Sequence, residues 1–362
     1  MSHFIDDRGR GTVSNLPNRF EKLQVEIDDG AMEELAAADP EFEKARPKTV
    51  YYRDDSQSLI TTNASPDLGF EASLNPYRGC EHGCAYCYAR PYHEYLGFNA
   101  GLDFETKIMV KEHAADLLEW ELASSRWKPK HLACSGVTDC YQPIERKLEI
   151  TRACLEVLAR FRNPVGIVTK NALVTRDLDY LVELAQFQAA TVAISLTSLD
   201  ANLAGKLEPR ASRPEARLQA IRELSDAGVP VGISLAPVIP GLNDHEIPAI
   251  LQAAADHGAR FASYTVLRLP YGVKEIFSGW LDRHFLQSRE KVLGRVREMR
   301  GGGDRLNDST FGTRFTGEGA VAEEIRTLFR VSAKRCGLDG DRVKLSTEHF
   351  QRHSPGQLEL FD

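Results

Sequence analysis

From about Gly69 onward, short apolar runs alternate with amphipathic segments, the pattern of repeated βα units around a parallel sheet. Strand-like runs fall at Ala72 to Asn75, His131 to Ser135, Val165 to Thr169, Thr191 to Thr197, Val231 to Val238 and Phe261 to Leu267. Helical spacing predicts helices over Glu112 to Ala123, Ile150 to Phe161, Asp177 to Phe187, Pro214 to Asp226 and Glu246 to His257. In the fourth of these, Leu218, Ile221 and Leu224 recur on one face, Ser212 is expected to cap, Pro214 suits the first turn and Gly228 ends the helix in the left-handed region. Six such units with right-handed crossovers predict an α/β fold, either an open doubly wound sheet or a partial parallel barrel. Both place chemistry at the C-terminal ends of the strands.

Outside this core the pattern weakens. Residues 1 to 68 read as an irregular N-terminal arm with a helix-like stretch at Met32 to Ala38, and residues 69 to 300 as the core. Residues 301 to 362 read as a C-terminal helix and tail, with helical stretches expected at Gln287 to Arg300 and Val321 to Cys336, the second stopped by Gly337. The 362 residues are 42% hydrophobic and 27% charged, with 45 Lys+Arg against 52 Asp+Glu, a formal charge of −7. That mild acidity argues against a protein that coats nucleic acid through bulk charge, while leaving room for a local basic groove. The polar N-terminus has no apolar signal region, and the longest uncharged stretches, Leu184 to Leu199 and Ala227 to Asn243, are short for a membrane span. A cytosolic protein without a membrane partner is expected.

Seven cysteines are too few and odd in number for a disulfide scaffold in a chain this long. Three of them, Cys80, Cys84 and Cys87, lie within eight residues in the loop after the first predicted strand. Thiolates at this spacing converge on one inorganic centre, and a 4Fe-4S cluster suits such soft ligands. Three ligands leave one iron open for a substrate. The alternatives are a zinc knuckle completed by His82, His93 or Cys134, or incidental buried cysteines, a reading that fits Cys154 and Cys336 well.

The C-x₃-C-x₂-C spacing with Tyr86 before the last cysteine resembles the radical S-adenosylmethionine superfamily. The run SLNPYRGCEHGCAYCYARPYHEYLG, with SGVTDCYQPIE, VTKN, EPRASRPEARL and APVIPGLND, resembles its spore photoproduct lyase-like branch over about residues 69 to 270. The resemblance implies a partial (β/α)6 TIM-type barrel, with a 4Fe-4S cluster and S-adenosyl-L-methionine as cofactors. It also implies reductive cleavage of S-adenosylmethionine to a radical that abstracts a substrate hydrogen, fed by a one-electron donor such as flavodoxin or ferredoxin. Cys80, Cys84 and Cys87 would hold the cluster. Gly136, Thr138 and Asp139 fall where the family's Gly-Gly-Glu element meets the amino group, and this sequence departs from that element. Lys170 and Asn171 are candidates for the carboxylate or ribose, Ser195 and Thr197 for the ribose hydroxyls, and Val238, Ile239 and Gly241 for the adenine. Each polar one could equally be a strand-end cap. Glu208 and Arg210 read as surface or substrate-contacting loop residues. Cys134 and Cys140 are candidates to return hydrogen to a product radical, which requires at least one to face the barrel lumen.

The lyase branch repairs thymine photoproducts, so DNA is the leading substrate analogy. The stretch from Arg283 to Arg314 adds a local excess of eight Lys/Arg over four Asp/Glu. At the C-terminus, Gln357-Leu358-Glu359-Leu360-Phe361 resembles the short peptide by which bacterial repair proteins dock on the DNA sliding clamp, with Gln357, Leu358, Leu360 and Phe361 as its contacts. A tail folded back on the barrel is the alternative. Arg8, Arg10 and Arg19 make the N-terminal arm a candidate lid. Outside radical catalysis on nucleic acid, the sequence leaves open radical modification of a protein or small molecule, or a non-catalytic cluster or zinc module.

Overall fold

The computed structural model describes residues 9–20, 48–134, 136–340 and 343–353. Its strands, in chain order, are β1 (Val50–Arg53), β2 (Ile60–Thr62), β3 (Ala72–Leu74), β4 (Tyr77–Arg78), β5 (Lys107–Val110), β6 (Leu132–Cys134), β7 (Val165–Thr169), β8 (Ala190–Ser195), β9 (Val231–Val238) and β10 (Ala262–Val266). Seven of them form one sheet in the order β10-β9-β8-β7-β6-β3-β2. The six from β3 to β10 run parallel in sequence order, and β2 pairs antiparallel on the outer side of β3. The α/β architecture of a partial barrel with six parallel strands is therefore present, each strand within two residues of its predicted position.

The elements form where the residue types favour them. Val231–Val238 is buried almost throughout, as a parallel strand covered on both faces must be. The helix Ile150–Phe161 buries Ile150, Cys154, Leu155, Leu158 and Phe161 on one stripe against the sheet. Pro214–Asp226 begins at its proline, and Gly228 adopts φ +84° just beyond it. Ser212, expected as the cap, instead ties this helix to the loop after β7, since its hydroxyl donates to Asn171 Oδ1 and accepts the Ala172 N–H.

Three features depart from the sequence reading. The arm is not wholly irregular, because β1 pairs parallel with β5 and β5 antiparallel with β4 in a small second sheet. Every residue of β1 is exposed, so no apolar alternation marks it. A helix at Val273–His284 buries Val273, Ile276, Phe277, Trp280 and Leu281. Finally, the segment that follows the helix Arg289–Met299 bridges the two edges of the open sheet. Val266 N–H donates to Phe315 O at 2.9 Å, while Arg314 Nε lies 2.6 Å from Asp67, in the turn between β2 and β3. The stretch Met32 to Ala38 and the tail from Ser354 onward lie outside the described residues. Among the described residues, no helix is long and apolar enough to cross a membrane.

Candidate active site

The cysteine loop leaves the barrel just after β3 and is almost wholly buried. Gly79 and Gly83 take φ +80° and +66°, turning the chain back so that Cys80, Cys84 and Cys87 lie on one short circuit. Arg90, completely buried, holds that circuit from below: its Nε and Nη2 donate to Cys84 O at 3.0 and 2.8 Å, and its Nη1 donates to Ala100 O and Gly101 O. Glu105 balances the charge at 2.5 Å and accepts Gly11 N–H at 3.0 Å. A Cβ at Gly11 would collide with the Gly83 carbonyl, so the described part of the arm seats directly on the loop. Asn18 and Arg19 fasten the same segment to Glu94. The arm residues Arg10 and Arg19 thus brace the outside of the loop; Arg8 lies outside the described residues.

A second set of buried charges holds the loop from the barrel side. Glu81 accepts Ile144 N–H at 3.0 Å and Tyr51 Oη–H at 3.1 Å, and pairs with Arg210 at 2.9 Å. His82 Nδ1 lies 3.4 Å from Asp139 Oδ2. Burial opposes its protonation, yet the Asp139 carboxylate pushes its pKa up to about 10, and Asp139, despite burial, is held down to about 2 by His82. Asp139 also accepts from Thr169 Oγ1 and Lys170 N at 2.7 Å and from Tyr141 N at 2.9 Å.

Tyr86, from the loop itself, meets Thr197 and Glu208 beside Lys170 and Ser195. Lys170 Nζ donates to Ser195 Oγ at 2.6 Å and Ala236 O at 3.1 Å, and sits 3.9 Å from Glu208. Glu208 also accepts the Tyr86 and Thr197 hydroxyls and pairs with Arg217. Burial would raise its pKa, but Arg217 and then Lys170 bring it down to about 2. Tyr86 therefore ties the cysteine loop to β8 and the Lys170 ring.

The other predicted residues divide. Gly136 N–H donates to Asn75 Oδ1, and its carbonyl accepts the Tyr88 hydroxyl. Val238 and Ile239 end β9, and Ile239 packs against Cys84, Ala85 and Tyr86. Asn171 is the cap of the turn after β7, with Oδ1 accepting Leu173 N–H. Asp139 has its oxygens committed to the strand ends, and the Thr138 hydroxyl donates to Tyr77 O. Gly241 lines a cavity of about 450 Å³ with Asp244, Lys291 and Arg295. Cys134 and Cys140, 2% and 0% exposed, are buried in the core cluster that also holds Cys154 and Tyr141. Strand alternation sends Cys134 to the same face as Leu132, in that cluster.

Sequence reasoning missed Arg90, Glu105, Glu81 and Arg217 and gave Glu208 and Arg210 a surface or substrate role. Their signal was weak, since charged residues in a loop ordinarily stay solvated.

The donor set fits an iron-sulfur cluster. Burial, followed by Glu208 for one thiol and Cys80 for the other, raises the pKa of Cys84 well above the thiol range and that of Cys87 to about 11. Thiols that burial keeps protonated lose their protons when a cationic centre compensates them. Among the described residues, no three His, Cys, Asp or Glu side chains are set to hold a single metal ion. The candidate fourth zinc ligands are otherwise engaged: His82 faces Asp139, and His93 stacks on Phe98 at 5.1 Å.

Thiols on a buried loop at the C-terminal end of the first barrel strand, with a polar ring beside it, define a cofactor-dependent barrel enzyme. The sequence pattern of the Radical SAM superfamily matches residues 74–254, half of the chain, and the protein belongs to that superfamily. It uses a 4Fe-4S cluster and S-adenosylmethionine. An uncharacterized protein of Mycobacterium tuberculosis is 33% identical over 282 residues, covering 75% of this chain and 81% of that protein. A Radical SAM Nalpha-GlyT isomerase of Pseudomonas phage M6 is 26% identical over 204 residues, 56% of this chain and 40% of the relative. Among solved structures, a spore photoproduct lyase with bound AdoMet and dinucleoside spore photoproduct superposes with a TM-score of 0.57 at 16% identity, covering 79% of each chain. That likeness shows the shared fold.

Proposed function

We propose that this radical SAM enzyme abstracts hydrogen from a nucleic-acid substrate, in a lyase-like reaction on damaged DNA. The observation that carries the reading is the placement of the cysteine loop at the end of β3, facing Lys170, Ser195 and Thr197, on a fold shared with a lyase that holds a dinucleoside photoproduct. The bound cluster and S-adenosylmethionine supply the hydrogen-abstracting radical. The chain's own residues do the rest. Arg90 and Glu105 fix the cysteine loop, and Tyr86 links it to the polar ring. Lys170, steadied by Ser195 and Ala236 O, offers its ammonium to the carboxylate of S-adenosylmethionine. Thr197 stands ready beside it for a ribose hydroxyl, and Val238 and Ile239 supply an apolar edge for the adenine. Hydrogen return by Cys134 or Cys140 would require that thiol to reach the lumen from the core in which both are buried.

One observation favours a second reading, radical modification of a protein or small molecule. The basic stretch from Arg283 to Arg314 is largely engaged within the chain. Arg289 pairs with Asp282 and Glu290, Arg295 with Asp244, Arg297 with Glu290, and Arg300 with the carbonyl of Leu267. Little of it remains to meet phosphate.

Anaerobic reconstitution tests the chemistry: about four iron and four sulfide per chain, and 5′-deoxyadenosine on adding reductant. Deuterium transfer into that product from labelled ultraviolet-damaged DNA would establish the substrate class. Transfer only from labelled peptides or small molecules would establish the second reading. Docking of Gln357, Leu358, Leu360 and Phe361 on a bacterial sliding clamp and electron supply by flavodoxin or ferredoxin belong to the same proposal. A tail peptide that fails to bind purified clamp removes the first of these.

A further inference from the structure

A cavity of about 330 Å³ opens beside the cysteine loop, separate from the ring of Lys170, Ser195 and Thr197. It shares a wall with the loop, because Ala89, Phe104 and Val137 pack on Cys80 and Cys87. Its size is within the range that small-molecule sites occupy.

Two nitrogens on its lining make no direct hydrogen bond among the described residues. Lys111 is 7% exposed, and among the described residues its ammonium makes neither a hydrogen bond nor an ion pair. The carboxylates that act on it, Asp54 and then Glu121, are engaged elsewhere, Asp54 by Arg78 at 2.8 Å and Glu121 by the Leu59 and Ile60 N–H groups. Burial lowers the Lys111 pKa, against the opposing pull of Asp54 and Glu121. His93 Nε2 is buried and also without a hydrogen-bond partner among the described residues. Burial holds the pKa of His93 down to about 4, so the ring is a neutral donor or acceptor.

The rest of the wall is aromatic. Phe104 lies edge-on to His93 at 5.7 Å, and Tyr92 and Tyr95, with centroids 6.5 Å apart, are 55% and 69% exposed. An ammonium without an ion pair, whose neighbouring carboxylates are already engaged, gains from an added anion, and exposed rings beside it offer apolar faces for a flat molecule. The requirements of charge and of shape are met by one kind of ligand.

We propose that this cavity binds a small planar molecule carrying one anionic group, a carboxylate or a phosphate, with the anion on Lys111 and the ring against Tyr92 and Tyr95. Charge-assisted hydrogen bonding supplies the affinity at Lys111, and the tyrosines select for a ring. The site stands whether or not the enzyme's radical substrate is nucleic acid.

The test uses the reconstituted holoenzyme and four probes: benzoate, phenyl phosphate, phenol and inorganic phosphate, each titrated by calorimetry and by ligand-observed NMR. The expected result is binding of benzoate, phenyl phosphate or both, about tenfold or more tighter than phenol. Which of the two binds tells carboxylate from phosphate. Lys111→Met should lower that affinity by about tenfold or more, and Tyr92→Ala should lower it severalfold. Absence of binding by both anionic ring probes overturns the proposal, as does equal binding of inorganic phosphate. An unchanged titration in Lys111→Met also overturns it. If thermal unfolding shows that Lys111→Met does not fold, unchanged binding in the surface variant Tyr92→Ala overturns it instead.

Discussion

The two edges of the barrel are built differently. At the first edge, the cysteine loop after β3 is buried and fastened by Arg90, Glu105, Glu81 and Glu208, fully or almost fully buried charges that are each paired. At the last edge, β10 is only half-buried over four of its five residues and is closed by a segment that crosses to Asp67. There Arg268 stacks on Tyr88 at 5.7 Å and on Phe315 at 4.8 Å, and Arg314 stacks on Phe315 at 4.8 Å. Buried, hydrogen-bonded charge fixes geometry because any displacement leaves an uncompensated ion in low dielectric. Stacked cations near the surface tolerate rearrangement. The first edge is suited to holding a cofactor in one place, and the second to admitting something of variable shape.

The comparison breaks most visibly at Arg90. Arg90→Met leaves Glu105 buried without its partner and frees the Cys84 carbonyl, so a loss of about 3–5 kcal/mol is expected. Urea denaturation and iron bound after reconstitution measure it. In the double variant Arg90→Met, Glu105→Met, much of that stability should return, because no lone buried charge remains. A single variant as stable as the parent would mean that the loop is held by other contacts.

Acid sharpens the same contrast. His93 packs neutral beside the loop with its pKa lowered to about 4 from 6.5, chiefly by burial. Its unfolded form takes up a proton below about 6.5 while the folded form does not, so its contribution is complete above that pH and lost as pH falls toward 4. The expected decline is about 3 kcal/mol at most. Urea midpoints between pH 7.5 and 4.5 should fall, and His93→Gln should remove that part of the slope. An unchanged slope in the variant would assign the decline to other groups.

The smallest effect is expected at the opposite edge. Arg314→Ala removes the pair to Asp67 and should cost about 1–2 kcal/mol, because Asp67 keeps the Gly312 N–H as a partner. Limited proteolysis should cut within residues 301–317 faster, while bound iron stays unchanged. Loss of iron would show that the two edges are coupled.

The six barrel strands were legible because Val165–Thr169 and Val231–Val238 are apolar runs bounded by turns, and such runs are buried wherever they fold. The cysteine triplet was legible because its spacing restricts what it can hold. The small sheet was not: β1 is exposed along its length, so its partner β5 cannot be inferred from apolar periodicity. Lys170, Ser195 and Thr197 were found as strand-end polar residues, and Asn171 and Asp139 were found by the same rule. Only the first three meet in one ring, because the side chains of the other two are used as cap and brace.

By itself, the sequence determined the α/β order of the core, the cysteine triplet and the end of the barrel at which it lies, since periodicity and spacing are local properties of the chain. The tertiary structure decided which charges are buried and with whom. Glu208 meets Arg217 nine residues on and Tyr86 from the cysteine loop, and Arg210 reaches back to Glu81. It also decided that Cys134 and Cys140 are buried in the core and that Lys111 lines a cavity. Such facts depend on where distant segments cross, and the energy of a charge is set by those neighbours rather than by its place in the chain.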